Sequence, residues 1–179
     1  LGPKAMELTG ELADGWIGTS FVPEHADVFM APLQRGLEKS GRSLSDLDIQ
    51  VGGSLEISED VERLIEARRP AMAFTLGGMG SAQTNFYNDA FSRAGYEAEA
   101  KKVQSLWVDG KKEEAIRAVP DEMVLKTNLI GTREMVIERI RAYAAVGVTT
   151  LRVSTTGTNW KERTESLAEA TDLVHSISV

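Results

Sequence analysis

The sequence predicts an α/β fold with a parallel sheet and crossover helices. Two observations lead to this prediction. Short runs rich in β-branched and aromatic residues alternate along the chain with longer segments of helical periodicity, and turn residues separate most of these segments. The 179 residues are 42% hydrophobic and 26% charged, which is the composition of an ordinary globular protein.

Turn and cap residues divide the first half of the chain. Pro3 begins a helix, because the missing N–H of proline is not needed in a first helical turn. Ala5, Leu8 and Leu12 form the predicted buried stripe of that helix, and Pro70 is predicted to interrupt a later helix. The predicted elements of this half are a helix over 3–13, a strand over 16–19, a helix over 23–39, a strand over 48–57 and a helix over 58–76.

The second half begins with a predicted helical insertion. Residues 77–130 contain several helical segments and no convincing strand, and they are too well patterned for disorder. Thr132 then caps a helix, and a strand over 149–153 and a helix over 162–174 follow. Three parallel strands cannot close a barrel, and a parallel sheet needs cover on both faces. We therefore expect 1–179 to be a single partial domain.

The composition excludes several classes of function. With 20 basic and 27 acidic residues the net charge is −7, so the chain lacks the basic character of a nucleic-acid-binding protein. No apolar run approaches the ~18–20 residues of a membrane span. The absence of cysteine excludes disulfides and thiolate sites and fits a cytoplasmic location. The two histidines have no carboxylate at metal-ligand spacing, so no metal site is expected.

Two turns carry the candidate binding residues. The Leu1-Gly2-Pro3 turn leads into a helix N-terminus, where free N–H groups favour an anion; the alternative is an ordinary strand-to-helix turn. Thr19 and Ser20 end a predicted strand, and their hydroxyls are candidates for binding a substrate or a phosphate. The alternative for these two residues is a cap or turn role.

Three sequence motifs follow one another along the chain and together span nearly its whole length. They are Leu1-Gly2-Pro3-Lys4 with Leu12-Ala13-Asp14-Gly15-Trp16-Ile17, then Ala118-Val119-Pro120-Asp121-Glu122-Met123-Val124, and then Ile130-Gly131-Thr132 continuing to Gly147-Val148-Thr149-Thr150-Leu151. Their order and spacing resemble the luciferase-like monooxygenase superfamily. Within it, the chain is most similar to the branch of coenzyme F420-dependent oxidoreductases.

The resemblance implies a (β/α)8 TIM barrel, of which this chain is the C-terminal half, beginning just after the fifth strand. In this family the cofactor binds at the C-terminal mouth of the barrel, and the turn matching Leu1 and Gly2, with Lys4 just beyond, contacts the deazaflavin and its side chain. The position matching Thr19 helps to hold the sugar phosphate in members that act on glucose 6-phosphate. Those members carry a phosphate-binding lysine where this chain has Val22, which argues against glucose 6-phosphate as the substrate.

The resemblance also implies hydride transfer between a small organic substrate and coenzyme F420. The proton-transferring residues of the family lie in the first half of the barrel, so no catalytic residue is assigned here, and we expect the isolated chain to be inactive. One alternative is an FMN-dependent monooxygenase of the same superfamily. The other is a non-catalytic half-barrel that acts as a binding or oligomerisation module, because open strand edges need cover. A homo-oligomer is expected in either case.

Overall fold

The computed structural model describes residues 2–81 and 83–177, and in this part of the chain the strands form one four-stranded parallel sheet. The predicted cofactor contact of Leu1 lies outside the described residues. The strands are β1 (Gly15–Ile17), β2 (Asp48–Ile57), β3 (Leu129–Gly131) and β4 (Thr150–Thr155). β4 pairs along one edge of β2, while β1 and β3 pair with the beginning and the end of the other edge. The long β2 is therefore the centre of the sheet.

Helices connect the strands and cover one face of the sheet. They are α1 (Pro3–Leu12), α2 (Asp27–Lys39), α3 (Val61–Gly77), α4 (Phe86–Phe91), α5 (Glu97–Val108), α6 (Lys112–Arg117), α7 (Asp121–Lys126), α8 (Arg133–Ala145) and α9 (Trp160–Ser176). Thr132 caps α8 as predicted, because its hydroxyl accepts a hydrogen bond from the N–H of Met135. The predicted alternation of helices and strands is confirmed.

The two faces of the sheet differ in chemistry. Ile49, Val51 and Leu55 alternate along β2 and are buried against the helix layer. The residues between them face the other way and are mostly polar, and Arg152 on β4 is exposed on that side. One face thus carries the hydrophobic core, and the other is an open polar surface.

The insertion shares a second hydrophobic core with α3. Leu64 and Leu76 of α3 are fully buried together with Val103, Ala115 and Met123 from α5, α6 and α7. The helices of the insertion are therefore packed against α3 in a cluster distinct from the one that covers the sheet. The predicted lack of a strand in the insertion is wrong at its end, because Leu129 and Ile130 belong to β3.

The predicted buried stripe of the first helix is also wrong. Ala5, Leu8 and Leu12 are exposed, whereas Met6 and Gly10 are buried. The reason is the close approach of α1 to α2: a Cβ atom built on Gly10 would lie 2.1 Å from the carbonyl oxygen of Leu33. The glycine side of the helix faces the protein because only glycine allows this approach.

Pro70 does not interrupt its helix, which corrects a second prediction. α3 runs without a break from Val61 to Gly77 with Pro70 inside it. The carbonyl that loses its N–H partner to the proline is that of Glu66, an exposed residue. Water can satisfy this carbonyl, so the helix continues.

Replacing Tyr143 by phenylalanine is expected to protect the protein at high pH. The Tyr143 hydroxyl is buried without a hydrogen-bond partner among the described residues, and burial raises its pKa to about 12. In the unfolded chain the same group loses its proton near the ordinary tyrosine pKa of ~10. The wild-type free energy of unfolding therefore falls as the pH rises from about 10 to 12.

Thermal unfolding of both proteins at neutral pH and at about pH 11 measures this effect. The phenylalanine variant should be at least as stable at neutral pH, since it removes an unpaired buried hydroxyl. It should also lose less stability at high pH. An equal loss in the two proteins would contradict the assignment to Tyr143.

Candidate functional site

Seven hydroxyl side chains line a cleft that lies beside the C-terminal ends of β1 and β4, the middle of β2 and the start of β3. This strand-end cleft has a volume of about 390 Å³ and lies between the sheet and the insertion. Its lining residues are Thr19, Ser20, Gly52, Gly53, Ser54, Arg68, Ala71, Met72, Thr75, Met79, Tyr87, Phe91, Thr127, Asn128 and Ser154. In parallel α/β sheets, ligands bind beside the C-terminal ends of strands, and those of β1 and β4 border this cleft.

Both residues predicted for substrate binding lie in the strand-end cleft. Thr19 and Ser20 follow the last residue of β1. Ser20 has a φ of 56° and is the only non-glycine residue with a positive φ in the described part of the chain. A serine held in the left-handed region is uncommon and is typical of residues that a functional loop constrains.

Two glycines of β2 form the floor of the cleft. A Cβ atom on Gly52 would lie 1.9 Å from the carbonyl oxygen of Arg152, and one on Gly53 would lie 2.6 Å from that of Thr127. The backbone of a neighbouring segment thus lies in close contact with each of these glycines. The Asn128 side chain accepts a hydrogen bond from the Ser54 N–H at 3.2 Å and so holds this floor against β3.

The wall of the cleft is positioned by two buried asparagines. The Asn85 side chain caps α4 by accepting hydrogen bonds from the N–H groups of Tyr87 and Asn88. The Asn88 side chain donates to the carbonyl oxygens of Leu76, at 2.9 Å, and Ala100, at 2.8 Å. These contacts join α3, α4 and α5, and they fix Tyr87 at the cleft.

One cationic side chain reaches the strand-end cleft. Arg68 donates to Glu56 at 2.7 Å and to the Leu64 carbonyl oxygen at 3.1 Å. Glu56 also accepts a hydrogen bond from Arg63 at 2.9 Å. Burial opposes ionisation of Glu56, but hydrogen bonds from Arg68 and Arg63 outweigh it and hold the pKa of this carboxyl below its ordinary value.

The residues predicted for cofactor binding lie elsewhere. Gly2 caps α1 and lines a second groove of about 530 Å³ between α1 and the insertion. The space beside Gly2 is open, because a Cβ atom there would meet nothing within 4 Å. Lys4 is exposed and lines neither groove. The structure thus brings Thr19 and Ser20 together and keeps Gly2 and Lys4 apart from them.

Sequence reasoning missed Arg68, Asn85 and Asn88. A signal for Arg68 was present in the helical spacing. Arg68 lies four residues after Leu64 and four before Met72, on a stripe that is otherwise apolar. A polar side chain on a buried stripe needs hydrogen-bond partners inside the fold, and this need can be recognised from the sequence.

Comparison with known proteins identifies the relatives of this chain. Residues 1–150 match the luciferase-like monooxygenase family. A Mycobacterium tuberculosis protein that carries the name of a coenzyme F420-dependent oxidoreductase is 32% identical over 155 residues, which are 86% of this chain and 45% of the relative. The 5,10-methylenetetrahydromethanopterin reductase of Archaeoglobus fulgidus is 28% identical over 83% of this chain and 44% of its own length.

A solved structure supports the fold. The coenzyme F420-dependent tetrahydromethanopterin reductase from Methanopyrus kandleri superposes with a TM-score of 0.69 at 24% identity, covering 94% of this chain and 47% of that protein. The chain thus spans about half the length of the relatives it matches, and its fold is the predicted partial TIM barrel. Within the described residues, no helix is long and apolar enough to cross a membrane. From its match over residues 1–150, the chain belongs to the luciferase-like monooxygenase family.

Proposed function

We propose that this chain is part of an oxidoreductase that uses coenzyme F420 to transfer hydride to or from a small organic substrate. The strand-end cleft carries this proposal, because it combines the position expected of an active site in this fold with hydroxyl groups that can orient a ligand. The names of the relatives from Mycobacterium tuberculosis and Archaeoglobus fulgidus support an oxidoreductase. The chain spans about half the length of those relatives. The oxidoreductase activity of the whole enzyme is therefore itself proposed.

The residues of the cleft fit a flat, partly polar ring system. Met72, Met79 and Phe91 offer apolar surface, and Thr19 and Ser54 offer hydroxyl groups. Sites for ligands of this size combine mostly apolar walls with a few well-placed polar groups. Coenzyme F420, when bound, would supply the hydride chemistry of its deazaflavin ring. The role of the chain is to orient the reacting groups and to exclude water from them.

Specific roles follow for the candidate binding residues. Thr19 and Ser20 would donate hydrogen bonds to the substrate from the end of β1. Gly2 and Lys4 would bind the anionic side chain of the cofactor beside the N-terminus of α1, where free N–H groups favour negative charge. The separation of the two grooves is compatible with a long cofactor whose ring and side chain occupy different sites.

A titration with coenzyme F420 and with FMN tests the cofactor. The 179-residue chain is mixed with each in turn, and binding is followed by the absorbance and fluorescence of the ring. We expect F420 to bind more tightly than FMN. Tighter binding of FMN would favour the monooxygenase alternative, and binding of neither would contradict the proposed function.

We also infer that the chain forms a homo-oligomer in isolation. Leu12 at the end of α1, Ile17 at the end of β1 and Trp160 at the start of α9 are 65–83% exposed. Exposed apolar side chains favour association, and so do open strand edges. Sedimentation of the purified chain measures its mass, and a monomer at all concentrations would contradict the inference.

A further inference from the structure

We propose that the strand-end cleft takes a substrate that carries a carboxylate or phosphate group, and that Arg68 binds this group. The inference rests on the proposed function and adds the chemical class of the substrate. It also assigns a specificity-determining role to a residue of α3.

The charges around the cleft support an anionic ligand. Among the described residues that line it, Arg68 is the only one with a formally charged side chain, and no carboxylate lies in the lining. A substrate anion in the cleft would therefore meet the Arg68 cation, and the Glu56 carboxylate that pairs with Arg68 lies outside the lining. The chain as a whole is acidic, with a net charge of −7. The lining of the cleft therefore has the opposite sign of charge from the protein as a whole.

Glu56 leaves part of the positive charge of Arg68 unbalanced. This single carboxylate accepts hydrogen bonds from two guanidinium groups, those of Arg68 and Arg63. The three side chains together carry one net positive charge. Arg63 is half-exposed to solvent, whereas the Arg68 side chain is only 13% exposed, so the field of Arg68 is less screened by water.

Arg68 is held in place and still has donors to offer. One Nη group donates to Glu56 and the other to the Leu64 carbonyl oxygen, while Nε has no hydrogen-bond partner within the described residues. A guanidinium has five N–H donors, so these two bonds leave most of its donors unused. An arginine fixed in this way can bind an oxyanion without losing much side-chain entropy.

Hydroxyl groups nearby complete the oxyanion site. Ser20, Ser54 and Ser154 line the cleft, and their hydroxyls make no hydrogen bond within the described part of the chain. They come from β2, from β4 and from the end of β1, so they converge from different strands. Hydroxyl and guanidinium donors together are the groups that bind carboxylates and phosphates in proteins.

The test uses inorganic phosphate and acetate as separate probes of the 179-residue chain. Amide chemical shifts are followed by NMR at constant ionic strength. We expect a saturable shift at Ser54 and Ser154 with at least one of the two probes, and the tighter probe identifies the class of substrate anion. Arg68→Gln should weaken that binding about tenfold, because it removes a charged hydrogen bond.

Arg63→Gln is the matched control. Like Arg68→Gln, it removes one positive charge and one of the two arginine partners of Glu56. Unlike Arg68, however, Arg63 does not line the cleft. We expect it to change phosphate or acetate binding less than about twofold, since exposed charges are screened. If the two variants lost anion affinity equally, the effect would be one of net charge, and the proposal would be overturned. It would also be overturned if the wild-type chain bound neither phosphate nor acetate.

Glu56→Gln gives a readout that misfolding cannot produce. It leaves Arg68 without its carboxylate partner, so anion binding should become tighter than in the wild type. Unchanged or weaker binding in a folded Glu56→Gln variant would contradict the role of Arg68. This second variant keeps the proposal testable if Arg68→Gln fails to fold.

A parallel titration with coenzyme F420 separates the two sources of an anion. The Arg68→Gln variant should bind F420 within about twofold of the wild type. If F420 binding falls as much as phosphate binding, the oxyanion belongs to the cofactor and the substrate assignment is wrong. If neither the wild-type chain nor the variant binds F420, the proposed function fails. The phosphate and acetate results still decide the role of Arg68.

Discussion

Replacing Gly36 by alanine is expected to lower the free energy of unfolding by about 2–3 kcal/mol. The added Cβ atom would lie 1.8 Å from the carbonyl oxygen of Glu7, so α1 and α2 would have to separate. Alanine is favoured over glycine in a helix by roughly 1 kcal/mol, but this gain is smaller than the steric penalty of a backbone contact. Chemical denaturation of the variant measures the difference.

Gly2→Ala is the matched control for this prediction. Gly2 has a φ of −76°, which any residue can adopt, and a Cβ atom there would meet nothing within 4 Å. We expect a change within about 0.5 kcal/mol. If Gly36→Ala were as stable as the wild type, the close packing of α1 on α2 would be contradicted.

Replacing Asn88 by alanine is expected to destabilise the protein by about 2–4 kcal/mol. The variant loses the hydrogen bonds to the carbonyl oxygens of Leu76 and Ala100, and Asn88 is only 4% exposed. Both carbonyls would then be left without this donor in a buried environment, where water cannot easily replace it. Thermal and urea unfolding of the variant give the size of the loss.

An exposed asparagine provides the comparison. The Asn159 side chain caps α9 by accepting a hydrogen bond from the Glu162 N–H. Asn159→Ala should cost only about 1 kcal/mol, the usual value for a lost cap. A loss at Asn88 no larger than that at Asn159 would show that the buried amide does not fix the insertion.

The order of helices and strands could be predicted because it depends on local patterns. Thr132 caps its helix and Asp48–Ile57 forms a strand, as periodicity and β-branched residues indicate. β3 could not be predicted in this way, because it has only three residues and all are buried. So short a strand has no alternation to detect, and its pairing with β2 is a long-range contact.

The error at α1 has a physical cause that the sequence conceals. Leu8 and Leu12 have the spacing of a buried stripe, yet Gly10 lies on the side that packs against α2. Helical periodicity weighs hydrophobicity and gives glycine little weight, although glycine permits the closest helix contacts. Complementary glycines on two helices, here Gly10 and Gly36, can be recognised only when the two helices are paired.

The candidate site was predictable in part. The positions of Thr19 and Ser20 followed from a strand end, and both lie in the strand-end cleft. Arg68 comes from a helix that packs over the strands, and its partner Glu56 is twelve residues away. Cofactor binding by Gly2 and Lys4 stays a prediction.

Hydrogen–deuterium exchange of the chain with and without coenzyme F420 tests the central claim most directly. The account predicts slower exchange in the backbone segments of the strand-end cleft, at residues 18–20, 52–54 and 127–128, and at the start of α1. Neighbouring segments such as α2, which lines neither groove, should be unaffected. Protection confined to α2 or α9, or no protection at saturating F420, would contradict the assignment of the cleft as the active-site part of this chain.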